Sequence, residues 1–211
     1  MKFSVTVDQT ANQISKEILG IILKEMKKGW SVATKNITKE LPDVVIDAIK
    51  QQPEYNSLLS GKLRGEFGLT NSLSKVNDII RIWADDIVVE YEAPKIRGSQ
   101  IVAFYSISMI DSDYSDVLGS PAAKQLIDGG NLPWLRWLLL DGGKILVPKY
   151  DVQFGNNPNS RTGNAVMVEG GSYSVDPKYR GQQGNNWVTR AVGSVNNSIE
   201  NLISRSLKAA L

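Results

Sequence analysis

KVNDIIRIWADDIVVEYEAPKIRGSQIVAFYSISMI, residues 75–110, is the stretch whose reading decides the fold. Its β-branched and aromatic residues fall into three runs, KVNDIIRIW, DIVVEY and SQIVAFYSISMI. Runs of that kind favour pleated, half-buried strands. Ala84-Asp85-Asp86 is placed to turn one hairpin, and Ala93 to Ser99, with Pro94 and Gly98, to turn the next. The expectation is a three-stranded antiparallel meander over 75–110.

Toward the N-terminus the spacing becomes helical. Ile14, Ile18, Ile21, Ile22 and Met26 recur at three to four residues and give residues 10–28 one apolar face. Lys16, Lys24, Lys27 and Lys28 occupy the remainder, the last two beside a helix-ending Gly29. A second helix is expected from about Thr38, burying Leu41, Val44, Val45 and Ile49, with Pro42 in its first turn. Pro53 opens a third, carrying Tyr55, Leu58, Leu59, Leu63 and Phe67; Gly61, Gly65 and Gly68 weaken it.

Toward the C-terminus, Pro121 opens a short helix ending at Gly129-Gly130, and Pro133 opens another, PWLRWLLLDGG, closed by Gly142-Gly143. KILVP and YDVQF follow as short strands, then a loop at 155–163, the strand NAVMVEG, and a polar stretch at 170–186. From Trp187 on, Ala191, Val195, Ile199, Leu202, Ile203 and Leu207 keep helical spacing, with Asn185 or Asn186 as the cap. The fold class expected is α+β, a single domain over 1–211. Its parts are a helical N-terminal part (1–70), the meander (75–110), a helical insertion (111–142), strands and long loops (143–184), and a long C-terminal amphipathic helix (185–211). The helices pack the antiparallel sheet.

The 211 residues include no Cys and no His. That removes disulfide frameworks, thiolate nucleophiles, cysteine–zinc sites, the usual catalytic triad and the commonest general base. The phosphate-loop, dinucleotide, zincin and serine-hydrolase signatures are missing too. Asp111-Ser112-Asp113 with Asp116 lacks the Gly and Glu of a calcium loop and reads as a helix cap. Glu90 and Glu92 read as a polar strand face, and no catalytic, cofactor or metal residue is expected. No apolar run approaches a membrane span, and MKFSVTVDQT turns polar at Asp8, so a soluble chain is expected.

The net charge of +2 says little, but its distribution says more. Residues 1–64 carry +3, residues 65–116 carry −5 and residues 117–211 carry +4. Opposite blocks suit head-to-tail contacts between copies, although charge blocks also mix once a chain folds. Asp85 and Asp86 are the acidic candidates for such contacts, and Arg161, Lys178 and Arg180 in the two polar loops are the basic ones. Trp83, Trp134, Trp137 and Trp187 read as core, and Trp30 as the exposed tryptophan.

In order, the segment SLLSGKLRGEFGL (57–69), the β-rich middle and the closing NNWVTRAVGSVNNSIENLISRSLKAAL (185–211) resemble the neck or tail-completion proteins of tailed bacteriophages. Gly61, Leu63 and Arg64 match the turn that leads into the sheet in that family. Trp187, Arg190, Ala191, Ile199, Ile203 and Leu207 match its terminal helix, and PWLRWLLLDGGKILVPKYDVQFG with SRTGNAVMV is similar to a block in phage structural proteins. The helical material at 111–142 departs from the smaller members. The resemblance implies a non-catalytic virion subunit, assembled in the host cytoplasm. It would form a sixfold or twelvefold homo-oligomeric ring that joins the portal-side connector to the tail, with DNA at most passing through the lumen. A tail terminator capping the tube is the alternative within that class. A nucleic-acid-binding module using the basic ends and Trp30 is the rival from another, and a carboxylate-dependent hydrolase is a third.

Overall fold

A run of 41 residues, Ala11–Gln51, forms a single helix, α1, in the computed structural model, which describes residues 10–108, 114–127, 130–160, 163 and 165–210. It absorbs both helices expected before residue 51. Gly29 does not end it, because Trp30, Ala33 and Ile37 just beyond are buried and their packing outweighs the poor local propensity. Pro42 lies in the interior rather than in a first turn, so the Thr38 carbonyl has no N–H to receive at that position. Leu41 and Val45 on either side of Pro42 are fully buried and hold the helix through the interruption.

The chain divides into two compact units, and the border within α1 falls at Pro42. Unit 1 comprises Met1–Leu41, Val88–Ser108 and Ile199–Leu211; unit 2 comprises Pro42–Ile87 and Met109–Ser198. Helices and small antiparallel sheets are mixed in the chain, so the α+β class holds.

Unit 2 corrects the expected meander. Its first run is a helix, α4 (Ser72–Asp85), which follows α2 (Pro53–Ser60) and α3 (Lys62–Glu66). Val76, Ile79, Ile80 and Trp83 lie at i, i+3, i+4 and i+7 and are all buried, so the helical period prevails over β-propensity. Asp85 closes α4 and Asp86 caps it, so neither turns a hairpin.

After α5 (Ser115–Gly119), Pro121 opens only one 3-10 turn, Pro121–Ala123. The hairpin of β3 (Gln125–Ile127) and β4 (Gly130–Leu132) then replaces the rest of the expected helix. Pro133 caps α6 (Trp134–Leu139) as anticipated. The two short strands expected at 144–154 are one, β5 (Val147–Phe154), paired with β6 (Ala165–Tyr173). Lys149, at φ 66°, sits in the bulge that lets that strand continue. Asn186 starts α7 (Trp187–Ser194) with a capping box, its side chain accepting from Val188 and Thr189 N–H. The long C-terminal helix is broken at Val195, beside the weak helix formers Gly193, Asn196 and Asn197, and resumes as α8 (Asn196–Ala210).

The core of unit 2 is aromatic. Trp83 and Trp187 meet edge to face at 5.5 Å, and Phe67 lies 6.1 Å from Trp134 and 6.2 Å from Trp137. Trp187 donates to the Ile49 carbonyl at 3.0 Å and Trp134 to the Ala122 carbonyl at 2.9 Å, which satisfies both indoles.

Unit 1 holds the remaining strands, β1 (Val88–Arg97) and β2 (Gln100–Ser108). Gly98, at φ 62°, opens their two-residue turn, as a primed hairpin turn requires. Pro94 lies where the register shifts between Glu92 and Lys95, so its missing N–H interrupts no ladder bond. Trp30 is not exposed: at 6% accessibility it stacks on Tyr105 at 4.5 Å and 15°. The Thr34 hydroxyl donates to the Trp30 carbonyl at 2.8 Å, so in its 3.0 Å contact with Tyr105 the phenol donates. Burial pushes that phenol above its ordinary pKa.

Candidate functional site

The polar stretch expected to behave as an adaptable loop, 170–186, is bound into unit 2. Val175, Tyr179 and Asn186 are buried. Asn186 Nδ2 donates to Tyr114 Oη at 2.7 Å and to the Gln182 carbonyl at 3.0 Å. Gly181 lies so close to α6 that a Cβ there would stand 2.0 Å from the Leu138 carbonyl oxygen, and the Gly181 carbonyl accepts from the Gly142 N–H at 3.3 Å. Arg180 points back into the same stretch: Nε donates to the Val175 carbonyl at 2.7 Å and Nη2 to Ser174 Oγ at 2.8 Å. Lys178 is exposed and places its ammonium 5.3 Å from the centre of the Tyr179 ring. Arg161 lies outside the described residues.

Beside this stretch lies a charge cluster without a sequence motif. Glu66, at 7% accessibility, accepts from the Tyr173 hydroxyl at 3.0 Å and has Lys62 Nζ 3.6 Å away. Lys62 also binds Asp176 at 2.5 Å. Burial raises the Glu66 carboxyl above its ordinary range and holds the Tyr173 phenol far above its own. The Lys62 ammonium draws the Asp176 carboxyl below its usual value. Glu66 also lines a cleft of about 230 Å³ with Leu132, Val152, Ser160 and Met167. The cluster can hold a proton at Glu66, yet Tyr173 and Lys62 already engage its two oxygens, as in a structural network. No periodicity or spacing marks Glu66 or Tyr173, because residues 107 apart in the chain meet only through the fold.

Asp85 is exposed and Asp86 half-buried at the end of α4, and no described contact joins either to Lys178 or Arg180. No group of three or more potential metal ligands exists among the described residues. No described helix is long and apolar enough to cross a membrane.

The larger unsatisfied surface lies elsewhere. The apolar face expected over residues 10–28 is largely open: Ile14, Ile18, Ile21 and Ile22 are exposed, Ile21 at 66%, and Met26 is half-buried. Val32 on the same helix, and Val88, Tyr91, Ile96 and Phe104 on the β1–β2 hairpin, are exposed as well. Unit 1 thus holds nine of the fourteen large hydrophobic residues exposed among the described residues, while unit 2 supplies most of the core. The helical period announced this face, but a period says which side is apolar and not what covers it. Compared with protein families, curated proteins and solved structures, the chain matches none.

Proposed function

We propose that the chain is a structural, non-enzymatic subunit of a tailed-bacteriophage virion. Its role on this reading is to form a homo-oligomeric ring at the head–tail interface and to join the portal-side connector to the tail. The supporting observation is the concentration of exposed apolar residues in unit 1, on one helix and one hairpin. Exposed apolar surface concentrated in one unit favours burial against other chains. The resemblance of residues 57–69 and 185–211 to neck proteins supplies the place in the particle. Trp30, the residue on which a nucleic-acid platform would rest, is stacked inside unit 1, so that rival loses its anchor.

The test is to image phage particles carrying a tagged chain by electron microscopy. A ring of tags at the head–tail junction is the expected result. Particles that lack the chain and still join heads to tails would overturn the reading.

A further inference from the structure

We infer that the outer edge of β2 pairs antiparallel with the same edge of a second copy of this chain, making one four-stranded sheet from two hairpins. The β1–β2 hairpin is a sheet of two strands, and no described hydrogen bond from outside it reaches the backbone of β2. The outward N–H and C=O groups of that strand therefore present a ladder that another extended backbone completes. Two strands alone are marginally stable in water, and added strands stabilise them.

The two edges of the hairpin differ, and the difference selects the occupant. β1 carries the features that discourage pairing: Pro94, a bulge between Glu92 and Lys95, and the charges of Glu90, Glu92, Lys95 and Arg97. β2, QIVAFYSIS, runs nine residues without a charge, a proline or an extra residue. Among the described strands of eight residues or more, it alone is uncharged. A contact of β1 with β2 of another copy would seat a guarded edge on an open one, whereas β2 on β2 meets no guard on either side. Full antiparallel overlap of the nine residues centres on Phe104, which is 54% exposed within one chain. Phe104 then faces Phe104 of the second copy, Ala103 faces Tyr105, and Ile101 faces Ile107. An aromatic pair forms at the axis, and no like charges meet. The contact is isologous and closes at two copies, so it stands apart from the ring reading and does not require it.

Sedimentation equilibrium of the full chain from ~5 to ~500 µM is expected to show a reversible dimer. Phe104→Lys is expected to weaken it at least ~10-fold with an unchanged far-ultraviolet circular dichroism spectrum. That variant sets two ammonium groups face to face across the axis, while Glu92, opposite on β1, balances each one within its own hairpin. The chain has no Cys, so a single introduced one reports the contact. Directly opposed residues of an antiparallel pair lie ~4.5–5.5 Å apart at Cα, within reach of a disulfide. Under mild oxidation Phe104→Cys is expected to link two copies at least ~10-fold faster than Leu126→Cys, a more exposed position in unit 2. A mixture of Ile101→Cys and Ile107→Cys is expected to link the two variants to each other faster than either links to itself. A wild-type chain that stays monomeric over the whole range would overturn the inference, as would equal linking rates at 104 and 126. Self-linking of Ile101→Cys that outpaces the mixture would overturn it too, in favour of a parallel stack.

Discussion

Trp30 in unit 1 and Trp187 in unit 2 each stack against another aromatic ring, but their surroundings differ. Trp187 is fully buried, meets Trp83 edge to face, and gives its indole N–H to a carbonyl. Trp30 rests on a two-stranded hairpin, its indole nitrogen is buried without a partner, and Val32 two residues on is half exposed. Both sheet edges of that hairpin lie open among the described strands. Unit 2 buries most of the large apolar side chains, although the Trp83 indole nitrogen is also buried without a partner; unit 1 leaves more of its apolar residues exposed. Hydrophobic burial supplies most of a domain's stability. Unit 2 therefore carries most of the burial that stabilises the fold, and unit 1 leaves more of its apolar surface exposed.

The largest effect expected is at Trp187. Trp187→Ala should lower unfolding free energy by ~3–5 kcal/mol in a denaturant titration, and Trp30→Ala by clearly less. Equal losses would break the contrast.

The glycines come next. Gly181→Ala should destabilise by roughly 2–3 kcal/mol, since the added methyl collides with backbone and no flexible side chain can yield. Gly98→Ala meets open space and bears only its left-handed backbone, a loss of ~1 kcal/mol. A reversed order would show that turn conformation in unit 1 governs stability more than packing in unit 2.

Acid titration sharpens the account of unit 2. The folded chain binds a proton at Glu66 more tightly than the unfolded chain does. Stability therefore falls as pH rises from the ordinary value of 4.5 through the folded value, and acidification through that window restores it. Asp176 acts the other way: its contribution is present above 3.8 and is lost as pH falls through its lowered folded value. Glu66→Gln should abolish the first gain and leave the second loss, as followed by thermal melts across pH. A wild-type profile in that variant would remove Glu66 from the network.

The smallest effect belongs to the open stripe. Ile18→Ser, measured at concentrations where the chain is monomeric, should change stability by no more than ~0.5 kcal/mol. A larger loss would mean that the stripe is already covered within one chain.

Parts of the fold are legible in residue order, though its division into two units is not. The Asn186 cap, the Pro133 helix start and the glycine turn at Gly98 follow from local chemistry, and each is present. Residues 75–85 misled because Val, Ile and Trp raise β-propensity while their spacing at 76, 79, 80 and 83 is helical; packing decided for the spacing. Pro42 and Gly29 carry breaker chemistry, yet burial around them keeps α1 whole. Glu66 and Tyr173 could not be paired by any local rule, since a meeting of distant residues is a property of topology.

The close approach of Gly181 to α6 also bears on how the chain meets a protease. Residues 174–186 are rich in glycine, asparagine and glutamine and present Lys178 and Arg180, the composition of a segment that trypsin cuts first. A protease needs several residues of extended backbone in its cleft. Here the Arg180 side chain is tied to Val175 and Ser174, and Gly181 is wedged against Leu138. Cleavage after either residue must therefore wait for unit 2 to open, so the rate of nicking there reports the unfolding of its interior.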